Sequence, residues 1–128
     1  MNQKTLICDK CLNEFSLKAV GIQYAEVKVN DQQLTLIYFA CPKCNKIYRV
    51  SLQDARYTEL KEDLERIKMR IRRNHGSNNE ELLRQLNSMM QKKQVRFDAY
   101  VEKLNKKFNG TFTFVVSENN NKGIKYLP

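Results

Sequence analysis

Apolar and polar positions alternate in parts of the first fifty residues, which is typical of short β-strands. These stretches are rich in β-branched and aromatic side chains, and the turn pair Asn30-Asp31 separates the two longest. The predicted strands cover residues 4–7, 22–29, 34–40 and the stretch that contains Ile47, Tyr48 and Val50. The pattern predicts a small β-module over residues 1–50.

After residue 50 the apolar positions follow a helical period. Ser51, with Asp54 three residues later, resembles a capping box and predicts the start of a first helix. An apolar seam then recurs at alternating steps of three and four residues, at Tyr57, Leu60, Leu64, Ile67 and Ile71. The polar stretch 75–79 breaks this pattern and predicts a loop.

A second helix is predicted from Glu80, because the acidic pair Glu80-Glu81 favours a helix N-terminus. Its apolar positions are Leu83, Leu86, Met90, Phe97, Tyr100 and Leu104. Asn109-Gly110 is typical of a helix end. Residues 51–109 therefore predict an antiparallel helical hairpin, although the same seam would serve a homodimer as readily.

Lys93 occupies a seam position where Leu or Met is expected. Two explanations are open. The aliphatic stem packs in the seam while the ammonium reaches water, or the seam opens at this point to meet another molecule.

The C-terminal residues complete the predicted architecture. Residues 111–116 alternate like a strand, which we expect to return to an edge of the β-module. A turn or link follows from Ser117, and residues 124–127 allow one more short pairing. The chain is thus predicted to be α+β, with a β-module at 1–50, a helical hairpin at 51–109 and a C-terminal strand and tail at 110–128.

All four cysteines lie in two Cys-x-x-Cys pairs, Cys8/Cys11 and Cys41/Cys44. Two residues between thiols allow one tight turn to aim both sulfurs at a common point. Two such turns facing each other present four thiolates in the tetrahedral geometry of structural Zn²⁺. Disulfides or a redox dithiol are the alternative, but redox pairs normally occur singly within a βαβ pattern. We therefore predict a structural zinc ion held by all four cysteines.

With a strand hairpin between the two cysteine pairs, residues 4–50 resemble the zinc-ribbon family of small β-modules. The resemblance implies a fold and a metal and leaves the activity open. Family members often carry Gly after the second cysteine of each pair, where φ is positive. Here those positions hold Leu12 and Asn45. Because Leu tolerates positive φ poorly, the first turn is expected to be less regular than the second.

Other functional classes find little support in the sequence. No apolar run approaches the ~18 residues of a membrane span, and no signal-type segment follows Met1, so a soluble, cytoplasmic protein is expected. A Cys₄ zinc site has no open position for substrate. The single histidine, His75, lies in a polar stretch without a catalytic motif. An enzyme is therefore not expected.

Positive charge is concentrated in the predicted hairpin. Residues 66–97 carry nine Lys or Arg against two Glu, a net charge of +7 out of +9 for the chain. A hairpin would gather these residues on its distal half, away from the acidic start of the first helix. The predicted partner-binding residues are Arg66, Arg70, Arg72, Arg73, Arg84, Lys92, Lys93 and Arg96.

A second candidate surface lies beside the cysteine pairs, where Lys10, Lys43, Lys46 and Arg49 are interleaved with Phe15 and Tyr48. These cations either contact nucleic acid or offset the −2 charge of a zinc ion with four thiolates.

Two functions follow from these features. The first is a regulatory, non-enzymatic module, stabilised by zinc, that binds nucleic acid or a nucleoprotein. The second is an inhibitor that docks on a host protein. The chain is similar in general appearance to small proteins of phages and mobile elements of Gram-positive bacteria, some of which are transcription modulators and some anti-CRISPR proteins that bind an effector nuclease.

Overall fold

A computed structural model describes residues 5–116 and 122–128. Lys4 and residues 117–121, part of a predicted strand and the predicted link, lie outside this range. The α+β class agrees with the sequence prediction. The elements are β1 (Thr5–Ile7), β2 (Glu14–Ser16), α1 (Leu17–Val20), β3 (Gln23–Val29), β4 (Gln32–Ala40), β5 (Ile47–Gln53), α2 (Ala55–Arg73), α3 (Glu80–Lys107), β6 (Thr111–Val116) and β7 (Lys122–Leu127).

The chain forms two compact units, one built from residues up to Gln53 together with Phe108–Pro128, and one from Asp54–Lys107. Every strand pairing in the first unit is antiparallel, with sheets β1-β2, β3-β4-β5 and β6-β7. None of the helices in the described ranges has the length and apolar character needed to cross a bilayer.

The sheet β3-β4-β5 forms where the alternating pattern predicted strands. Leu34, Leu36 and Tyr38 occupy every second position of β4 and are all buried. Asn30 and Asp31 connect β3 to β4 with φ values of 51° and 66°. A two-residue hairpin turn of type I′ needs positive φ at both positions, which Asn and Asp tolerate.

β2 and α1 were not predicted from the sequence. β2 is only three residues long, and Phe15 pairs with Leu6 of β1. α1 is a single turn that ends at Gly21, whose φ is 79°. Segments this short do not establish a period, so only tertiary pairing defines them.

The C-terminal strand has a different partner from the one predicted. β6 pairs with β7 along its whole length, from Thr111–Leu127 to Val116–Lys122, rather than with an edge of β3-β4-β5. A local hairpin satisfies the backbone groups of β6 at a smaller loop-closure cost. Side chains still connect this hairpin to the larger sheet, since the rings of Phe114 and Tyr38 meet edge to face at 6.0 Å.

The helix α2 begins later than the capping-box pattern predicted. Ser51 lies inside β5, and Asp54 is the N-cap, with its carboxylate accepting from the Tyr57 N–H at 2.8 Å. Leu52 is 1% exposed, so burial on the sheet holds residues 51–53 in the strand. α3 begins at Glu80 as predicted, and Asn79 accepts from the Leu82 N–H at 3.1 Å.

The two long helices pack with antiparallel register. Tyr57 of α2 meets Phe97 of α3 with ring centroids 5.0 Å apart, and Asp63 meets Lys93 further along. We call α2 and α3 the helical pair. Their seam contains most of the predicted apolar positions, of which Tyr57, Leu60, Leu64, Ile67, Leu86 and Leu104 are buried.

Candidate functional site

The two cysteine turns have the same backbone geometry. Leu12 and Asn45 both adopt a φ of 62°, and their N–H groups donate to the carbonyls of Cys8 at 2.8 Å and Cys41 at 2.9 Å. The expectation of a less regular first turn was therefore wrong. The Leu12 side chain is 75% exposed, so only the local strain of a left-handed residue opposes this conformation.

The four cysteine sulfurs converge, as the spacing predicted. They all lie within 4.8 Å of one another. Sulfurs from opposite turns lie 3.5 Å apart in the pairs Cys8–Cys44 and Cys11–Cys41. Four thiolates at ~2.3 Å from a tetrahedral Zn²⁺ are about 3.8 Å apart, whereas a disulfide needs about 2.05 Å. The arrangement fits a four-coordinate metal ion.

An apolar cluster surrounds half of this centre. Cys8 and Cys41 are fully buried and pack with Phe15, while Cys11 and Cys44 are partly exposed. The two cysteine positions of each turn thus differ, with the first facing the interior. This burial limits the access of water and chelators to two of the four sulfurs.

Three side chains outside the cysteines connect the two turns. The Tyr48 hydroxyl lies 3.2 Å from Cys8 Sγ and 2.7 Å from Asp9 Oδ1, and Lys46 Nζ pairs with the same Asp9 oxygen at 2.5 Å. The hydrogen bond from Tyr48 is the main cause that lowers the pKa of Cys8 to about 6. A low pKa favours the thiolate form that binds metal.

This connecting group was not predicted from the sequence. The sequence pattern places Tyr48 and Lys46 in a basic and aromatic surface and does not distinguish Asp9. The sequence does carry a signal for this contact. An acidic residue lies inside one Cys-x-x-Cys turn and a lysine lies just after the other, and these opposite charges can pair when the two turns face each other.

The surface beside the cysteine turns is less available than predicted. Lys46 pairs with Asp9, Arg49 donates to the carbonyl of Phe108, and Phe15 is buried. Lys10 and Lys43 remain as exposed cations. Lys10 and Lys46 also line a cavity of about 410 Å³ beside the second turn. Lys46 thus has its charge paired with a carboxylate beside the cysteine sulfurs.

The eight predicted partner-binding residues fall into two groups. Lys92, Lys93 and Arg96 line a shallow cavity of about 170 Å³ on α3. Arg66 and Arg96 line a second cavity, of about 420 Å³, together with the acidic residues Glu59, Glu62 and Asp63. Because α3 runs antiparallel to α2, its later basic residues lie beside the acidic start of α2. The expected segregation of basic and acidic halves is therefore wrong for Arg96.

A second group of these residues lies at the end of α2. Arg70, Arg72 and Arg73 occupy its last turn. Arg84, in the second turn of α3, pairs with Glu81 at 3.2 Å. Within residues 5–116 and 122–128, no carboxylate approaches Arg70, Arg72 or Arg73 within the 4.0 Å of an ion pair.

Asp63 explains the irregular seam position at Lys93. The Lys93 ammonium reaches one Asp63 oxygen at 2.9 Å, and Arg66 donates to the other at 2.7 Å. The side chain of Lys93 is 28% exposed, so its stem packs while its charge is paired across the helices. The packed stem agrees with the first of the two explanations, but the ammonium is paired with Asp63 as well as partly exposed to water.

The same contact predicts a pH dependence of the helical pair. The hydrogen bonds from Lys93 and then Arg66 lower the pKa of Asp63 from 3.8 to about 2. The resulting stabilisation is complete above pH ~4 and is lost as the pH falls through ~2, because the unfolded chain binds the proton first. We expect D63N to lose less stability than the wild type between pH 4 and 2, measured by denaturant unfolding followed by helical circular dichroism.

The control for this experiment is D98N, because the Asp98 carboxylate accepts from the neutral amide of Gln94 at 2.9 Å. D98N should follow the wild-type profile across the same pH range. Identical profiles for D63N and wild type would contradict a paired Asp63.

Comparisons with known proteins found no match for this chain among family models, curated proteins or solved structures.

Proposed function

We propose that the protein is a non-enzymatic, zinc-stabilised module that binds nucleic acid and acts as a regulator. Four convergent cysteine sulfurs support a structural zinc ion, because a Cys₄ site leaves no position open for a substrate. The zinc-ribbon resemblance of residues 4–50 supports the same role. Zinc would be held by Cys8, Cys11, Cys41 and Cys44, and its contribution would be to fix the two cysteine turns.

One observation carries the nucleic-acid part of the proposal. Arg70, Arg72 and Arg73 are exposed, lie in one helical turn and have no acidic partner among the described residues. Arginine presents a planar fork of donors that fits a phosphate group. Arg70 and Arg73 are three residues apart and share a face of the helix, and Arg72 adds a third cation to the same turn. A phosphate backbone at this helix end can therefore make several contacts.

The electrostatics of helix ends offer a simpler reason for cations at these positions. A cation in the last turn interacts favourably with the helix dipole by about 0.3–1 kcal/mol. That interaction benefits each cation separately, while three neighbouring cations also repel one another. A surface selected only for helix stability would be expected to mix signs, as the first half of α2 does, where Arg56 and Lys61 are interspersed with Glu59 and Glu62.

Charge removal at this turn tests the proposal. The triple variant R70Q/R72Q/R73Q should bind a labelled mixed-sequence duplex or single strand more weakly than the wild type. Each lost phosphate contact lowers the slope of log K against log salt by about 0.9 on duplex DNA, so the slope should fall by about 3. The measurement is a fluorescence-anisotropy titration at several salt concentrations.

The matched control is R56Q/K103Q/K106Q, which removes the same charge from exposed positions near the other end of the helical pair. Gln and Arg have similar helix propensities, so neither triple variant should lose the helices. If both triple variants weakened nucleic-acid binding equally, the effect would come from net charge alone, and the assignment of the binding surface to the last turn of α2 would be overturned. Absence of binding at low salt would reject nucleic acid as the partner.

A second candidate function is docking on a host protein as an inhibitor, as some anti-CRISPR proteins do. The observation that favours it is the cavity on α3, where Lys92, Lys93 and Arg96 surround Met89, which is 42% exposed. Met and Arg are enriched in protein interfaces. This candidate predicts a complex that survives moderate salt and that M89E disrupts, while M89E leaves nucleic-acid binding unchanged.

A further inference from the structure

The Tyr48 hydroxyl occupies an unusual position between the two cysteine turns. It lies 3.2 Å from Cys8 Sγ, and the backbone N–H of Asp9 donates to its oxygen at 3.1 Å. The Tyr48 ring stacks on Phe39, with centroids 5.2 Å apart and an interplanar angle of 11°. One backbone contact and one ring contact therefore fix the hydroxyl beside the sulfur, independently of any side chain on residue 9.

We propose that Tyr48 is a positioning residue of the metal centre. Its hydroxyl donates a hydrogen bond to the Cys8 thiolate, disperses part of the negative charge on that sulfur and thereby raises the affinity of the site for the metal ion. The inference rests on the proposed Cys₄ site and adds to it a residue that is not a ligand. A divalent ion with four thiolates carries a net charge of −2. A donor to one sulfur disperses part of that charge, and such outer contacts typically change metal affinity 10–100-fold.

Asp9 and Lys46 determine which acceptor receives the hydrogen bond from the Tyr48 hydroxyl. The hydroxyl has one proton and two acceptors in reach, Cys8 Sγ at 3.2 Å and Asp9 Oδ1 at 2.7 Å. Lys46 pairs with that same oxygen and lies 5.0 Å from the centre of the Tyr48 ring. By satisfying Asp9, Lys46 weakens the competing acceptor and leaves more of the hydrogen bond to the sulfur.

Removal of the hydroxyl tests the role of Tyr48 on the full chain. Y48F keeps the ring stacked on Phe39 but deletes the donor, so Zn²⁺ affinity should fall about 10-fold. Affinity is measured by competition with a chromophoric chelator. The control is Y24F, because Tyr24 is 72% exposed on β3 of the same unit and should leave affinity unchanged.

Cobalt substitution separates a hydrogen-bonding role from a packing role. With Co²⁺ in the site, Y48F should shift the sulfur-to-metal charge-transfer band to lower energy, because a thiolate without a donor releases electron density more readily. D9A should shift the band to higher energy. It removes the competing acceptor, while its backbone N–H still holds the Tyr48 oxygen.

The outcomes distinguish this inference from the function it rests on. Unchanged Zn²⁺ affinity in Y48F, or shifts of the same sign in Y48F and D9A, would overturn the role of Tyr48 while leaving the Cys₄ site intact. Failure of the wild type to bind Zn²⁺ or Co²⁺ with a 1:1 stoichiometry would overturn the metal site itself.

Discussion

The variant C8S is expected to lose the proposed zinc ion and the fold around the cysteine turns. Cys8 is fully buried, its sulfur lies 3.5 Å from that of Cys44, and it packs in the cluster formed with Phe15 and Cys41. Serine is nearly isosteric, but its hydroxyl stays protonated at neutral pH and is a poor metal ligand. The substitution therefore removes a ligand with little change in side-chain volume.

The expected effect is large because metal binding and folding are coupled. Structural zinc sites contribute about 10–16 kcal/mol of apparent binding energy. One quarter of that amount is about 3 kcal/mol, which is a large part of the roughly 5–15 kcal/mol that stabilises a typical domain. β1 and β2 have three residues each and depend on the turns that join them. β1 and β2 should therefore be the first elements to lose protection against amide hydrogen exchange.

Two measurements check this expectation. Metal content by elemental analysis should fall from one zinc per chain to a small fraction, and amide hydrogen exchange should accelerate over residues 5–21. The amides of α2 and α3 should exchange as in the wild type. The control is K10S, which introduces serine at an exposed position inside the same turn. Equimolar zinc and unchanged exchange in C8S would contradict a Cys₄ site.

The variant G110A is expected to be the most destabilising substitution of a glycine in the described chain. A Cβ atom at Gly110 would overlap the carbonyl group of Leu127 and approach the Cα atom of Pro128 at 2.8 Å. These are backbone atoms, so no side-chain rotation relieves the overlap. Gly110 also donates its N–H to the Tyr126 hydroxyl at 2.9 Å, and this bond would be displaced.

The end of β7 must move to admit the methyl group, and overpacking of this kind costs up to about 3 kcal/mol. Thermal or denaturant unfolding of the zinc-loaded protein measures the loss. The matched control lies in the same hairpin, because a Cβ at Gly123 would meet only the Val115 Cγ2 atom, at an ordinary 3.8 Å. Similar unfolding midpoints for G110A and G123A would contradict the close backbone approach at Gly110.

Gly110 also illustrates a limit of sequence reasoning. The pair Asn109-Gly110 predicted the end of the second helix, and α3 does end close by, at Lys107. The sequence suggested that glycine was there for its backbone freedom. The structure shows that Gly110 is needed because the chain of β7 passes against it, a contact between residues seventeen positions apart. The local pattern predicted the end of the helix but not the physical reason for a glycine at position 110.

The basic residues show the same limit in the candidate site. Their concentration between Arg66 and Arg96 was evident from the sequence, yet the pairing of Lys93 with Asp63 was not. Whether a cation is paired depends on which residues of α2 and α3 lie at the same level. A shift of one helical turn in that register would bring a different residue opposite Lys93, and a periodic seam alone does not set it.

Local patterns in the sequence were sufficient to predict several elements. Alternation predicted β3, β4 and β6, helical spacing predicted α2 and α3, and two Cys-x-x-Cys pairs predicted four convergent sulfurs. Each of these depends on residues a few positions apart. The partner of β6, the late start of α2 and the contacts of Tyr48 with Cys8 and Asp9 became evident only in the folded chain. Those features depend on which of several compatible surfaces meet, and long-range packing selects among them.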